Sequence, residues 1–195
     1  MENNLIVDFL QFHMKEISQE SISLFTDLVT LKFFPKNHVI IKEDIPLRKF
    51  FVIKSGIIGS FSKDADGNKE FIRAIHTKKN VFANISALDE SKATLNSYKC
   101  LTDCEIYEGN FVKFKEYIDT NKEFSILYGK IMETSLVRSQ MRIDELSLLD
   151  ATERYKALKS NIPNIENLIP QYQIAYYLNI TPVQLSRIRK KLYSS

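Results

Sequence analysis

Gln184 and Arg187 lie three residues apart in a stretch without a single acid. Residues 170–195 hold Arg187, Arg189, Lys190 and Lys191, and no Asp or Glu. Glutamine and arginine are the side chains suited to paired hydrogen bonds with adenine and guanine edges. Arg189, Lys190 and Lys191 suit phosphate neutralisation, which adds salt-dependent affinity without sequence choice. The chemistry on offer is recognition of double-stranded DNA.

That chemistry needs a rigid mount, and the neighbouring residues spell one out. Ile174, Ala175 and Leu178 form an apolar stripe at helical spacing. Ala175 is small, as close crossing of two helices requires. Asn179 can end a helix in the left-handed region. Ile180 is apolar and suited to plug the space between two helices. Thr181 is a good N-cap and Pro182 a good first helical residue. Leu185, Ile188 and Leu192 then give the second helix its buried face. A short helix, a tight turn and a second helix with a cationic outer side are expected, the arrangement that sets one helix into a major groove.

The positive charge is local. Net charge is +3 over 195 residues; of 27 Lys and Arg, four fall in residues 170–195, which leaves 23 against all 24 Asp and Glu in residues 1–169. The body is close to neutral, with one basic module. At 44% hydrophobic and 26% charged, the composition is that of an ordinary globular chain. Met1-Glu-Asn-Asn lacks a basic leader, Asp8 and Gln11 interrupt residues 5–12, and no apolar run approaches a membrane span. A cytoplasmic protein without membrane contact is expected. Cys100 and Cys104, four positions apart, would share one face of a strand and read as buried free thiols. With His13, His38 and His76 as its histidines, and no close pair among them, the chain offers no metal site of the kind roll-type enzymes use. It contains no Gly-rich phosphate loop or nucleophile elbow. Neither enzyme activity nor a cofactor is expected.

Residues 2–29 carry loose 3-4 apolar spacing and read as helix. From about Leu31 the period becomes two, in short runs such as Lys49-Phe-Phe-Val-Ile-Lys and Glu70-Phe-Ile-Arg-Ala-Ile, separated by turn residues. Further strands are expected near 95–100 and 104–108. Many short strands at roughly ten-residue intervals indicate a sandwich or double-sheet roll. Helices follow at 111–118, at 123–149 and at 151–158. In the long helix, Leu127, Ile131, Thr134, Arg138, Met141, Glu145 and Leu148 follow 4-3 spacing, a plausible dimer seam. The competing assignment packs that helix on its own sheet through Phe124, Leu127, Ile131 and Leu136.

This order resembles the Crp/Fnr family of bacterial transcription regulators over nearly the whole chain. The stretches that carry the likeness are Phe51-Val-Ile-Lys-Ser-Gly-Ile-Ile, Glu153-Arg-Tyr, and residues 174–192. The resemblance implies an α+β protein. A jelly-roll-like double-stranded β-roll would span 1–120, a dimerisation helix 121–149, and a helix-turn-helix domain 150–195. It implies base contacts from Val183, Gln184 and Arg187, and backbone contacts from Gln171, Tyr172, Thr181, Ser186, Arg189, Lys190 and Lys191. It places the homodimer seam on Leu127, Ile131, Thr134, Arg138, Met141 and Leu148. Double-stranded DNA, a second copy of the chain and RNA polymerase would be its partners. The chain stops three residues after Leu192, so most or all of the hairpin wing found in many relatives is expected to be missing.

The effector site departs from the family. Cyclic-nucleotide binders hold the phosphate with an arginine and exposed backbone N–H groups. The matching stretch, residues 80–97, has no arginine and no glycine. An effector pocket is expected around Phe82, Asn84, Lys92 and Thr94, for an unknown small molecule that is not cyclic AMP; lysine there lacks the bidentate fork. His38 and His76 read as satisfied histidines rather than haem ligands. A small-molecule-binding or protein-docking module without a DNA role is the alternative.

Overall fold

Strand β3 (Lys49–Ser55) runs Phe50-Phe51-Val52-Ile53, and both of its faces are buried. Alternate side chains of a strand point to opposite sides of its sheet. Phe50 and Val52 therefore join one core cluster, while Phe51 and Ile53 join another. A continuous apolar run on a strand covered from both sides is the consequence.

The structure is a computed structural model describing residues 4–42, 48–63, 66, 70–83 and 96–193. Helices α1 (Asn4–His13) and α2 (Gln19–Leu28) lead into β1 (Val29–Phe34), β2 (Val39–Ile41) and β3; then follow β4 (Ile58–Lys63), β5 (Glu70–His76), β6 (Val81–Ala83), β7 (Ser97–Cys100) and β8 (Cys104–Asn110). These strands form two antiparallel four-stranded sheets, ordered β1-β8-β3-β6 and β2-β7-β4-β5. The expected double-sheet β-roll is present. Ile41, Phe51, Ile53, Ile58, Phe82, Cys100, Cys104 and Ile106 fill the space between the sheets.

The N-terminal helical stretch is two helices. Ser18 caps α2, accepting from the Ser21 N–H at 3.1 Å, and the Glu123 carboxylate accepts from the Ser18 hydroxyl at 2.7 Å. The cysteines sit on β7 and β8, on either side of a turn, and not on one strand; both are free and buried.

Helices α3 (Phe111–Thr120), α4 (Lys122–Leu148) and α5 (Ala151–Asn161) start at side-chain caps from Asn110, Asn121 and Asp150. Asp150 and Glu153 form a full capping box. Helices α6 (Ile165–Leu168), α7 (Gln171–Tyr177) and α8 (Pro182–Tyr193) complete the described chain. Phe9, Phe25, Phe114, Phe124 and Leu127 cover the Phe50 face of the first sheet. On the outer side of the second sheet, Ile57, Phe61, Ile72 and Leu101 pack with Tyr155, Ile174, Ala175, Leu178 and Leu185. The C-terminal helices thus share a core with the roll.

Gly56 closes the β3–β4 hairpin at φ +94°, where a Cβ would lie 2.5 Å from both the Asp103 carbonyl oxygen and the Cys104 sulfur. Gly56→Ala is expected to lower stability by about 2 kcal/mol or more, from backbone strain and overlap together. Chemical denaturation gives the value, and an unchanged midpoint would contradict the assignment.

Candidate nucleic-acid interface and adjoining cleft

Ile174, Ala175 and Leu178 are fully buried, and just past the end of α7 Asn179 takes the left-handed region, φ 55°. The Ile180 N–H returns to the Ala175 carbonyl at 3.0 Å, tightening the turn. Thr181 opens α8, its Oγ1 accepting from the Gln184 N–H at 3.2 Å. The side-chain oxygen of Gln184 accepts from the Thr181 N–H at 2.8 Å. This is a reciprocal capping box, and Thr-x-x-Gln is its sequence signature. Gln184 is exposed, and its side-chain oxygen is committed to the cap. Arg154 adds a brace, donating from Nε to the Leu178 carbonyl at 3.1 Å and from Nη1 to the Leu149 carbonyl at 2.6 Å.

With Leu185 buried, α8 turns Val183, Gln184, Ser186, Arg187, Lys190 and Lys191 to the surface. Gln171, Tyr172 and Thr181 are exposed beside them. Arg189 is not free to serve a phosphate. Its Nε lies 2.7 Å from Glu166, which also accepts from Tyr155 and, at 2.8 Å, from the Tyr193 hydroxyl, and pairs with Lys159 at 3.3 Å. Burial opposes ionisation of Glu166, but these hydrogen bonds and the Arg189 charge outweigh it and bring its pKa down to about 2. The basic face has an acid after all, supplied from α6.

The long helix also differs from expectation. Leu127 and Ile131 are buried against the roll, as the competing assignment to the chain's own sheet expects. Phe124 joins them, while Leu136 is 72% exposed. Thr134 donates its hydroxyl to the Lys130 carbonyl. Of the expected seam, Met141 and Leu148 are exposed. Met132, Leu136, Ile143 and Leu146 form a second exposed apolar row, at 4-3 spacing with Ser139 at the intervening position.

Arg138 faces an open cleft of about 990 Å³ that reaches from the roll along α4 to α7. Phe82 stacks between Tyr98 (4.8 Å between centroids) and Phe51 (5.0 Å). Asn84, Lys92 and Thr94 lie outside the described residues. His76 packs beside Phe82 and Tyr98, and its Nε2 is closed off without a hydrogen-bond partner, so the satisfied-histidine assignment fails there. Burial and then the Arg138 charge lower its pKa to about 4, and the same two causes act on His13. Arg142 spans the cleft, donating to the Arg73 carbonyl of β5 at 3.1 Å and to the Tyr177 carbonyl of α7, with its guanidinium 3.9 Å over the Tyr177 ring. One side chain of α4 thereby touches both the roll and the C-terminal helices. Sequence spacing could not bring Arg138, His76 and Arg142 together, because only the sheet pairing does so.

Residues 31–121 match the family model of the cyclic nucleotide-binding domain. The chain shares its fold with CLP, described as a c-di-GMP-responsive global regulator of Xanthomonas campestris (TM-score 0.71, 14% identity, 91% of this chain and 92% of that one). FixK2 of Bradyrhizobium japonicum matches at TM-score 0.71 and 18% identity, over 85% of each chain. A protein assigned to the crp/fnr family of transcriptional regulators, from Eubacterium rectale, matches at 0.72 and 13%, over 92% and 85%. The chain has the fold of these structures. At these identities the likeness to the Crp/Fnr structures is one of fold. No curated protein matches the sequence. Among the described residues, no helix is long and apolar enough to cross a membrane.

The two lowered sets of pKa values give stability two acid windows. Between pH 6.5 and about 4 the unfolded chain protonates His13 and His76 while the fold resists, so stability falls as pH falls. Between pH 4.5 and about 2 the same holds for Glu166, whose charged form the fold prefers. Denaturation midpoints measured from pH 8 to pH 3 should therefore decline in two phases. His76→Gln should flatten the upper phase and Glu166→Gln the lower; variants that leave both slopes intact would contradict this.

Proposed function

We propose that the chain is a sequence-specific, DNA-binding transcription regulator that acts as a homodimer. One observation carries it: α8 is anchored by Leu185 and its capping box, yet presents Val183 and Arg187 outward. In this reading residues 150–195 are a helix-turn-helix domain, 1–120 the sensor roll and 121–149 the connecting helix. Arg187 and Val183 meet base edges, with the Gln184 NH₂ as a further donor. Gln171, Tyr172, Thr181, Ser186, Lys190 and Lys191 lie along the phosphates, and Arg189 is withdrawn from that set. The dimer seam moves from Leu127 and Ile131 to Met132, Leu136, Ile143 and Leu146, whose exposure favours a second copy as partner. Two such units would meet half-sites about one helical turn apart. RNA polymerase is the partner through which a bound regulator would act.

Arg187→Ala should cost about 1–3 kcal/mol on the best site and relax base preference there. Lys190→Ala should weaken all sequences alike and reduce the salt slope by about 1. Electrophoretic shifts on genomic fragments against random DNA separate the two. Equal losses on both DNAs for both variants would overturn the division of roles. Absence of any specific shift from folded protein would favour the docking alternative.

Cyclic AMP is not the effector in this reading, because residues 84–95 hold no arginine for its phosphate. Titration calorimetry should show no binding at micromolar nucleotide. Micromolar affinity would contradict it.

A further inference from the structure

We propose that Glu166 is a positioning residue for DNA binding: it holds Arg189 off the phosphates and so limits the sequence-independent share of the affinity. The proposal rests on the regulator reading and deepens it.

Arg189 stands one turn after the buried Leu185, on the flank of α8, two positions beyond the exposed Arg187. Its side chain is 27% exposed, so it still reaches the surface that a duplex would cover. Its Nε lies 2.7 Å from a Glu166 oxygen, yet is buried without an aligned hydrogen bond. Attraction between charges, more than direction, holds this pair. Among the described residues the guanidinium has no other ionic partner. A phosphate offers a full charge and paired acceptors that match the guanidinium fork, so it competes for Arg189 unless the carboxylate keeps its place.

The carboxylate is the fixed member of the pair. Ile165 and Ile169, both buried, seat α6 in the core shared with the roll, and Asn164 turns the chain into that helix at φ 61°. The fully buried Tyr155 donates its hydroxyl to one oxygen of Glu166, and Tyr193 donates to the other at 2.8 Å. Lys159 pairs with the same acid at 3.3 Å and also donates to the Tyr193 hydroxyl. Loss of the Glu166 charge would leave Lys159 that hydroxyl, and Arg189 no ionic partner at all. A freed Arg189 would then add one phosphate contact on any sequence, with its own counterion release.

The test follows binding of the full-length protein to its best genomic fragment and to a random duplex by fluorescence anisotropy, over a range of salt concentrations. Glu166→Gln should tighten both duplexes by about 3- to 10-fold at roughly 0.1 M salt and steepen the salt slope by about 1, as one added phosphate contact requires. Arg189→Gln alone should leave the slope as it is, and the double variant should return it to the wild-type value. A purely structural ion pair predicts the opposite sign, with weaker binding from Glu166→Gln and no steeper slope. The proposal is overturned if Glu166→Gln gains no slope or if the gain survives in the double variant. It is also overturned if Arg189→Gln alone makes the slope shallower by about 1, which would put Arg189 on a phosphate already; that outcome does not depend on Glu166→Gln folding. Folded wild-type protein that binds neither duplex overturns the regulator reading and this proposal with it. Wild-type binding without the predicted gain overturns this proposal alone.

Discussion

The C-terminal helices do not close a core by themselves. They span only residues 151–193, a length at which a self-sufficient apolar interior is marginal. Ile57, Phe61, Ile72 and Leu101 of the roll complete it, against Ile174, Ala175, Leu178 and Leu185. Since protein interiors tolerate little empty volume, this shared cluster sets how α7 lies on β5, and α8 follows through the tight turn at Asn179. The direction in which Arg187 points is thus a property of the roll as much as of its own helix.

Polar contacts at the edge of that cluster act in the same sense. Arg142 ties β5 and α7 to α4, and Arg154 ties α5 to the end of α7. Glu166 gathers Tyr155, Lys159, Arg189 and Tyr193 into one network. Because the cleft contains β5, α4 and Arg142, a ligand that shifted any of them would bear on the shared cluster. A change there can move α8 only by favouring one packed arrangement over another, since close-packed contacts are discrete rather than continuously adjustable.

Much of this was legible in the residues. The change of period near Leu31 and Phe111 separates strands from helices, and Asn179, Thr181 and Pro182 mark the turn because each is chosen for a local backbone need. Local signals were also missed. Ser18 is a helix cap inside what reads as one helix, and Thr181-Pro-Val-Gln184 is a capping box that claims a side chain otherwise assigned to bases. Other features were out of reach of local reasoning. Glu166 neutralises Arg189 from another helix. The 4-3 spacing of α4 fits two rows, and the roll claims Leu127 and Ile131 of one while leaving its Met141 and Leu148 exposed. The cleft residues Arg138 and His76 belong to elements that meet only after the sheets pair.

The central claim is that the outward edge of α8 reads DNA as one half of a two-fold assembly. Selection of bound sequences from a random duplex library by the full-length protein tests it most directly. The account predicts an enriched, inverted-repeat motif whose half-sites are centred about 10–10.5 base pairs apart. A pool that shows no enrichment after repeated rounds, or a single asymmetric site bound by one chain, would contradict it.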